Sequence, residues 1–374
     1  MAKRRVNDDG SIYYSKAERC WFAQLPPDAR GKRPKRRAKT QEEAIRKLTV
    51  MRDMRGQGGD PSAKRLRVND LLDLWLTQIV KVSVKESTHE SYEQIAKLYI
   101  RPTLGTRWLD TVEPLDIQQW VNDLRRQYSS NVVRNAHARL HGAFDAAVTW
   151  RKLLYNPTNR VTLPRPAKAT LKAPQTAAMQ RWLTATEDHR LGTLYLMAAV
   201  LGPRVGELAG LPWRTYDRTA ETITIDQQIT EVRGTRSFTT PKNDEARTLP
   251  VPPGLAKRLV AQWELLQRER MSEDWKEHGL IFPSELGTPL FESNINRHLR
   301  DGLQRLGLPH WSMHAFRHYT ATRLGELGVS DHIIGGILGH SPGRNVTRRY
   351  AYPTLDAMRQ ALTRLEDDIL RRAA

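Results

Sequence analysis

The chain has 374 residues and a formal net charge of +19, with 60 lysines and arginines against 41 aspartates and glutamates. So large a positive excess indicates a polyanionic partner such as DNA, RNA or an acidic membrane. No apolar run reaches the roughly 18–20 residues of a membrane span, and the basic N-terminus lacks the apolar core of a signal peptide. The single cysteine, Cys20, excludes an intrachain disulfide and offers no Cys/His zinc pattern, so a reducing cytoplasm is expected.

The N-terminal segment is predicted to be small, β-rich and strongly basic. Residues 9–25 alternate short aromatic and polar runs between turn-forming residues, which predicts two or three strands. A helix is predicted from Thr40, as its N-cap, to about Arg55, with Glu43 at the capping-box position. Residues 1–66 hold 18 lysines and arginines against 8 aspartates and glutamates, more than half of the net charge. The candidate DNA-binding residues are Arg33, Lys35, Arg36, Arg37 and Lys39; a flexible basic tail or nonspecific DNA contact is the alternative.

Residues 68–160 are predicted to form four or five helices. Apolar residues recur at helical spacing over 71–79 and again over 92–99. Pro102 and Gly105 are predicted to end the second of these helices, because neither residue suits a helix interior. The pattern indicates a compact all-α module.

A basic, proline-interrupted stretch over 151–173 predicts a connection between domains. Beyond it, helices are predicted over 177–186 and 191–201, and β-like segments over 221–232 and 248–251. The remaining residues are predicted to be mostly helical.

The predicted fold class is therefore multidomain, with three kinds of structure. These are a small β-rich α+β N-terminal domain (1–62), an all-α helical domain (66–165) and a mixed, mainly-α domain with a small antiparallel sheet (174–374). The last helix, over about 355–372, either docks onto a neighbouring protomer or packs on its own domain.

The second half of the chain carries polar residues whose types suit attack on a DNA phosphate. In chain order these are Arg204, Lys242, His314, Arg317, His340 and Tyr350. The pKa of tyrosine is near 10, so neighbours must stabilise the phenolate or accept its proton before it can attack. A phosphodiester under attack spreads negative charge over its non-bridging oxygens, which guanidinium groups match with paired donors. Two arginines, a lysine and two histidines are expected to suffice without a metal.

Each of these residues, taken alone, has an ordinary structural explanation. Arg204 suits a helix end, Lys242 a solvated turn and His340 a structural hydrogen bond. Tyr350 alone would be a half-buried aromatic residue, and Tyr352 competes with it for the role of nucleophile. Only the ordered set is specific.

That ordered set resembles the tyrosine recombinase family, and within it the integrases of temperate phages and mobile elements. The matching stretches are Gly202-Pro203-Arg204-Val205-Gly206-Glu207-Leu208, Lys242, His314-Ala315-Phe316-Arg317-His318, Leu338-Gly339-His340-Ser341 and Tyr350-Ala351-Tyr352-Pro353. The resemblance covers roughly residues 66–374. The N-terminal segment is similar to the small arm-site DNA-binding domains that such integrases often carry.

The resemblance implies contacts to the DNA phosphate. Arg204 and Arg317 would clamp the scissile phosphate, and His340 would donate to one of its oxygens. Glu207 would hold these groups in position without touching the phosphate itself. No cofactor is implied.

The resemblance also implies the covalent chemistry. Tyr350, favoured over Tyr352 by its motif position, would form a 3′-phosphotyrosyl bond. Lys242 would act as the acid toward the leaving 5′-oxygen, and His314 would assist proton transfer. The chain would then be a site-specific DNA recombinase that integrates and excises a mobile element.

Two other functions use the same residues. A type IB topoisomerase would nick and reseal one strand with the same chemistry, and a nonenzymatic DNA-binding protein would need only the charge. The recombinase implies double-stranded attachment sites and a homotetramer as partners, with no membrane. Further expected partners are a directionality factor and a host DNA-bending protein. The expected location is the bacterial cytoplasm, at the nucleoid.

Overall fold

The computed structural model describes residues 10–28, 31–56, 60, 65–166, 173–241, 246–339 and 353–371. The chain forms two compact units, divided between Lys168 and Ala169. Among the described helices, none has the length and apolar composition to cross a membrane.

The first unit begins with a three-stranded antiparallel sheet and one helix. The elements are β1 (Ser11–Ser15), β2 (Cys20–Gln24), β3 (Lys35–Ala38) and α1 (Gln41–Gly56), with β2 in the middle of the sheet. Their small core contains Ala23, Leu25, Ala38, Ala44, Leu48 and Met51. The sequence predicted strands only within 9–25, whereas β3 belongs to the basic run. A strand fits there because alternate residues face opposite sides, so Ala38 can be buried beside an exposed Arg37.

Helix α1 begins where its capping residues predicted. The hydroxyl oxygen of Thr40 accepts a hydrogen bond from the Glu43 amide at 3.2 Å. The Glu43 carboxylate accepts one from the Lys39 amide at 2.6 Å, one residue earlier than a capping box requires. These bonds satisfy amide groups that the helix cannot satisfy itself.

The rest of the first unit is all-helical. Its elements are α2 (Val68–Trp75), a π-helical turn (Leu76–Val80), α3 (Lys81–Ser83), α4 (Glu86–Ile95), a second π-helical turn (Ala96–Ile100), α5 (Arg101–Leu104), a 3-10 turn (Leu109–Thr111), α6 (Pro114–Gln127), α7 (Ser130–Thr149) and a 3-10 turn (Pro157–Arg160). They share an apolar core that includes Leu71, Ile100, Trp120, Leu140 and Phe144.

The second long helix ends at Leu104, directly before Gly105, as predicted, but Pro102 lies inside its last turn and does not end it. The helix continues through α5 to Leu104, and the π-helical turn Ala96–Ile100 directly precedes the proline-containing turn. Hydrogen bonds in a π-helical turn reach five residues back instead of four. The bonding pattern is thus already rearranged where Pro102, which has no amide hydrogen, enters.

The second unit is mainly helical with a small antiparallel sheet and a separate hairpin. Its elements are α8 (Thr176–Ala185), α9 (Gly192–Leu201), α10 (Val205–Ala209), a 3-10 turn (Trp213–Thr215), β4 (Tyr216–Asp217), β5 (Thr222–Ile225), β6 (Gln228–Val232), β7 (Thr235–Thr239), β8 (Arg247–Pro250), α11 (Pro253–Glu269), α12 (Glu292–Arg305), α13 (Met313–Glu326), α14 (Asp331–Leu338) and α15 (Leu355–Leu370). Every residue of α9 is buried, which confirms the predicted apolar helix over 191–201. Helices α8, α11, α13 and α15 pack around it.

The β-like segment predicted over 221–232 is two strands in different sheets. β5 lies between β4 and β8, with Ile223 opposite Leu249, whereas β6 pairs with β7. Asp226 and Gln227 separate the two strands, and both accept hydrogen bonds from Arg214, at 2.7 and 3.1 Å. A break of two residues is too short to interrupt the sequence pattern.

The last helix, α15, packs on its own unit. Its buried residues are Met358, Ala361, Leu362, Leu365, Glu366 and Ile369. In this single chain the helix packs within its own unit, and docking onto a neighbouring protomer stays a prediction.

All three kinds of structure in the predicted fold class are present. The N-terminal part combines a small sheet with a helix, the next part is all-α, and the second unit is mainly helical with antiparallel strands. The fold class is confirmed, and the domain limits 1–62, 66–165 and 174–374 stay a prediction.

Candidate active site

Arg204 lies in the turn between α9 and α10. Gly202 follows α9 with a φ of +64°, a left-handed conformation that favours glycine. A Cβ atom added there would lie 2.6 Å from Cδ2 of Leu338, so the close packing also requires glycine. Arg204 is then the N-cap residue of α10, and its side chain is 26% exposed.

The Glu207 carboxylate is fully buried and pairs with two arginines. Its Oε1 atom accepts a hydrogen bond from Nη1 of Arg204 at 2.7 Å, and its Oε2 atom accepts one from the Arg204 amide at 2.9 Å. Arg247, on β8, donates to the same carboxylate, with Nη2–Oε2 at 2.6 Å and Nη1–Oε1 at 3.2 Å. Burial raises the pKa of Glu207, but the hydrogen bonds and charges of Arg247 and Arg204 outweigh it and hold the pKa below its ordinary value. Glu207 is therefore ionised at neutral pH.

Arg317, on α13, is buried and binds the ends of two other helices. Its Nη1 atom donates to the Gly202 carbonyl oxygen at 2.9 Å, and its Nη2 atom donates to the Leu338 carbonyl oxygen. Burial, then the positive charges of Arg204 and Arg247, lower the pKa of Arg317 to about 10, so it stays protonated at neutral pH. Three guanidinium groups thus lie close enough to influence one another.

His314 also lies on α13, in the part of the chain predicted to be mostly helical, but its environment differs from that of Arg317. Arg317 is buried, whereas His314, one turn earlier, is exposed. The His314 ring packs edge-on against His318, with the ring centroids 4.7 Å apart. An exposed imidazole one turn from Arg317 is accessible to a molecule bound beside that arginine.

The other predicted catalytic residues lie outside the described residues: Lys242, His340 and Tyr350, together with the alternative Tyr352. In the chain, Lys242 follows directly after Pro241, and His340 follows Gly339 at the end of α14. Their roles stay predictions.

Arg247 was missed by the sequence analysis. Forty positions separate it from Glu207, and a lone arginine at the start of a four-residue strand has no pattern that reveals its partner. The only sequence indication is its place five residues after Lys242.

The predicted DNA-binding residues of the N-terminal sheet lie on different faces. Because side chains alternate along a strand, Lys35 and Arg37 lie on one face of the sheet and Arg36 lies on the other. The Lys35 Nζ atom lies 5.0 Å from the centroid of the Phe22 ring, and Arg37 donates to the Glu18 carbonyl at 3.0 Å.

Arg36 is engaged with the helical part of its unit. It forms an ion pair with Asp110, which also pairs with Arg65 at 2.6 Å. Burial raises the pKa of Asp110, but Arg65 and Arg36 outweigh it and hold the pKa below its usual range. The two remaining members of the predicted set, Arg33 and Lys39, are exposed.

The group of Arg204, Arg247, Arg317 and Glu207 carries more positive than negative charge. Guanidinium groups present paired donors that match the oxygens of a phosphate. Such prearranged donors stabilise negative charge that develops during a reaction. Within the described ranges, no three His, Cys, Asp or Glu side chains gather to hold a metal ion. The arrangement is suited to a phosphodiester.

Two family models match the chain. The model described as the Phage integrase family matches residues 171–355, which include all six predicted catalytic residues. A second model, the Phage integrase N-terminal SAM-like domain, matches residues 68–125 in the helical part.

Named relatives cover most of the chain. It is 28% identical to a Tyrosine recombinase XerC-like protein of Caldanaerobacter subterraneus subsp. tengcongensis, over 81% of this chain and 83% of the relative. It is also 28% identical to an Integrase of Streptomyces ambofaciens, over 91% of both chains.

Solved structures share the fold. The Tn1549 transposon integrase in complex with transposon right end DNA superposes with a TM-score of 0.65 at 20% identity, over 80% of this chain and 99% of that chain. A lambda integrase tetramer bound to a Holliday junction gives a TM-score of 0.58 at 17% identity, over 99% of this chain and 98% of that one.

Proposed function

This chain belongs to the phage integrase family of tyrosine recombinases, and we propose that it integrates and excises a phage or mobile element through a 3′-phosphotyrosyl intermediate. It is a site-specific DNA recombinase. The observation that carries the proposed chemistry is the group of Arg204, Arg247 and Arg317 around the buried Glu207.

Arg204 and Arg317 bind the non-bridging oxygens of the scissile phosphate. The partly exposed Arg204 and the buried Arg317 approach that phosphate from different helices, and His340 donates to it as well. Negative charge on these oxygens grows as the nucleophile adds, and losing one donor of this kind commonly lowers rates by about 10²–10³-fold. Glu207 holds Arg204 and does not touch the DNA.

The nucleophile is the phenol oxygen of Tyr350. It bonds to phosphorus while the bond between phosphorus and the 5′-oxygen breaks. Lys242 gives a proton to the leaving 5′-oxygen, and His314 assists removal of the phenol proton. A free 5′-hydroxyl from another strand then reverses these steps, so that rejoining needs no ATP.

Complete recombination requires four strand exchanges, and we assign them to a homotetramer on two double-stranded attachment sites. The lambda integrase tetramer on a Holliday junction supports this assembly. A directionality factor and a host DNA-bending protein are proposed as further partners, in the bacterial cytoplasm at the nucleoid.

The N-terminal sheet is the proposed arm-site DNA-binding surface. Lys35 and Arg37 share the face opposite to α1, while Arg36 lies on the other face and pairs with Asp110. Lys35, Arg37 and the exposed Arg33 and Lys39 are therefore assigned to DNA, and Arg36 to the contact with the helical part.

The test is capture of the covalent intermediate. Attachment sites are first located by sequencing the junctions that the protein makes in host DNA, and a nicked duplex carrying one site is then incubated with the protein. We expect a DNA adduct with the wild type. Tyr350→Phe should form none while binding the duplex with unchanged affinity, and Tyr352→Phe, the matched control, should still form it.

Each other outcome has a definite meaning. An adduct with Tyr350→Phe but not with Tyr352→Phe would move the nucleophile to Tyr352. Binding without any wild-type adduct would leave a nonenzymatic DNA-binding protein. Relaxation of a supercoiled plasmid that lacks the site would indicate the type IB topoisomerase.

A further inference from the structure

Arg247 pairs with Glu207, the carboxylate that holds Arg204, but has no role in the mechanism above. It is the first residue of β8, where it lies opposite Ile225 of β5. Its side chain is only 10% exposed, so it is held inside the second unit instead of reaching into solvent. A buried guanidinium group is costly unless it is paired, and its bonding partners therefore matter.

The first partner is the Glu207 carboxylate. Arg247 contacts both oxygens, with Nη2–Oε2 at 2.6 Å and Nη1–Oε1 at 3.2 Å. The same two oxygens bind the guanidinium and the amide of Arg204. The bonds from Arg247 limit rotation of the Glu207 carboxylate. They thereby limit the movement of the Arg204 guanidinium group, which binds the same carboxylate.

The second partner is the C-terminal end of α14. Nε of Arg247 donates to the Ile337 carbonyl oxygen at 3.2 Å, and Arg317 donates to the carbonyl of the next residue, Leu338. Two arginines thus bind successive carbonyls of a helix end, where partial negative charge favours cations.

Arg247 also fills the space beside the residue that follows this helix. Gly339 has a φ of +65°, and a Cβ atom added to it would lie 2.9 Å from Cδ of Arg247. His340 comes next in the chain. The side chain of Arg247 therefore contacts both the support of Arg204 and the helix end that Arg317 binds.

We propose that Arg247 is a positioning residue for DNA cleavage, which holds Glu207 and the end of α14 so that Arg204 and Arg317 meet one phosphate. This rests on the proposed function. Arg247 itself touches no DNA, and its effect passes through Glu207 and the helix end.

The test compares cleavage rates with binding. The rate of adduct formation on a nicked site is measured at saturating protein, and the affinity for the same duplex is measured separately at fixed salt. Arg247→Gln should lower the rate about 10–100-fold, because small displacements of binding groups have effects of that size. Its DNA affinity should stay within about 3-fold of wild type, since Arg247 is assigned no contact with the phosphates that supply affinity.

Arg247→Lys separates position from charge. Lysine keeps the positive charge but lacks the planar fork that contacts both carboxylate oxygens. Positioning predicts that the lysine variant loses most of the rate that the glutamine variant loses. A lysine variant as fast as wild type would overturn the proposal, because charge alone would then be sufficient.

Arg190 provides a matched control. It binds both oxygens of Glu269, at 2.8 and 2.7 Å, and the Pro283 carbonyl at 2.6 Å, so its bonds are of the same kind. Arg190→Gln should leave the cleavage rate of folded protein unchanged. Equal rate losses in the Arg190 and Arg247 variants would show a general structural effect and overturn the proposal.

A double-mutant cycle tests the route through Glu207. In a Glu207→Gln background, Arg247→Gln should lower the rate by a smaller factor than it does alone, because only the part that passes through the end of α14 then remains. Full additivity would overturn the proposal. An absent wild-type adduct would instead contradict the proposed function, and if Arg247→Gln does not fold, the cycle is run with Arg247→Lys.

Discussion

Glu207 joins the backbone and side chain of Arg204 to the side chain of Arg247 through one carboxylate. Its negative charge partly offsets three guanidinium groups that would otherwise repel one another. Removing one partner from a buried ion pair commonly costs about 3–5 kcal/mol, because the other charge stays buried and uncompensated. The pKa of Glu207 lies below its ordinary value, so its contribution to stability is present above pH 4.5 and is lost as the pH falls through the lowered folded value.

A second polar group of the same unit responds to pH in a different range. The hydroxyl of Tyr195 contacts Nδ1 of His298 at 2.8 Å, and the His189 ring stacks on His298 with centroids 4.1 Å apart. Burial, then the positive charges of His189 and Arg305, lower the pKa of His298 to about 4. The neutral ring is therefore the stable form in the folded protein.

The first prediction follows from the lowered pKa of His298. Above pH 6.5 this histidine is neutral in both the folded and the unfolded state. Between pH 6.5 and 4 mainly the unfolded chain takes up the proton, so the free energy of unfolding decreases as the pH is lowered. Relative to His298→Gln, the wild type should lose about 1–2 kcal/mol more unfolding free energy between pH 7 and 5, after allowance for partial exposure. Urea unfolding at both pH values measures it.

The exposed His310 serves as the control position. His310→Gln should follow the wild type at both pH values. Because burial and Arg190 also lower the pKa of His189, part of the pH effect should survive in His298→Gln. Identical pH dependence of wild type and His298→Gln would contradict the assignment to His298.

The site residues differ in how far the sequence reveals them. Arg204, Glu207 and Arg317 were predicted because their local motifs and order are distinctive, and the structure brings them together. Arg247 could not be predicted because its role depends on contacts to Glu207 and Ile337, which lie 40 and 90 positions away in the chain. Spacing along one element cannot show such contacts.

Among the elements, α15 is bound to its unit by more than apolar packing. The buried Glu366 accepts hydrogen bonds from the amides of Gly254 and Leu255, both at 2.7 Å. These amides belong to the first turn of α11, where a helix cannot satisfy its own donors. Arg323 of α13 adds a two-pronged contact to Asp368, at 2.7 and 2.6 Å.

The second prediction concerns this cap. Glu366→Ala would leave the buried amide of Leu255 and the partly buried amide of Gly254 without an acceptor. A buried group of this kind costs about 1–3 kcal/mol. We expect the free energy of unfolding to fall by about 2–4 kcal/mol, measured by urea denaturation. Asp367→Ala, at the neighbouring exposed position, should change it by less than about 0.5 kcal/mol. Equal effects of both variants would show that the cap contributes nothing specific.

Element limits were predictable where local chemistry sets them. Thr40 and Glu43 gave the start of α1, since capping involves residues only a few positions apart. The end of the second long helix at Gly105 was predicted, but the part assigned to Pro102 was wrong, because a π-helical turn before it changes the bonding pattern. The division of 221–232 between two sheets was also missed, because sheet membership depends on distant partners such as β8.

At the level of the whole molecule, the positive charge is concentrated near the N-terminus. Arg36 joins the small sheet to the helical part through Asp110, and Arg65 pairs with the same carboxylate. Loss of the sheet would therefore leave Asp110 with one cationic partner. The helical part retains its own apolar core without the sheet.

The third prediction is that deletion of residues 1–62 separates cleavage from assembly. The truncated protein should form the adduct on a short core site at close to the wild-type rate, but assemble poorly on long attachment DNA. Adduct assays and gel shifts on the two DNA lengths measure this. Affinity for long DNA should also fall less steeply with salt, because fewer phosphates are neutralised.

Substitutions in β3 refine the test of this surface. Lys35→Ala/Arg37→Ala should weaken binding to long attachment DNA as the deletion does, and Arg36→Ala should weaken it less. Unchanged integration by the truncated protein would remove the arm-binding role altogether.

Arg204, Arg247, Arg317 and Leu338 come from four separate stretches of the second unit, spread over more than a hundred positions. Contacts between such distant positions form only when most of the unit has folded, so no short fragment of the chain can form them. A partly folded chain keeps its positive charge and can still bind DNA nonspecifically. Its active site is not assembled, so only fully folded molecules can cleave a DNA strand.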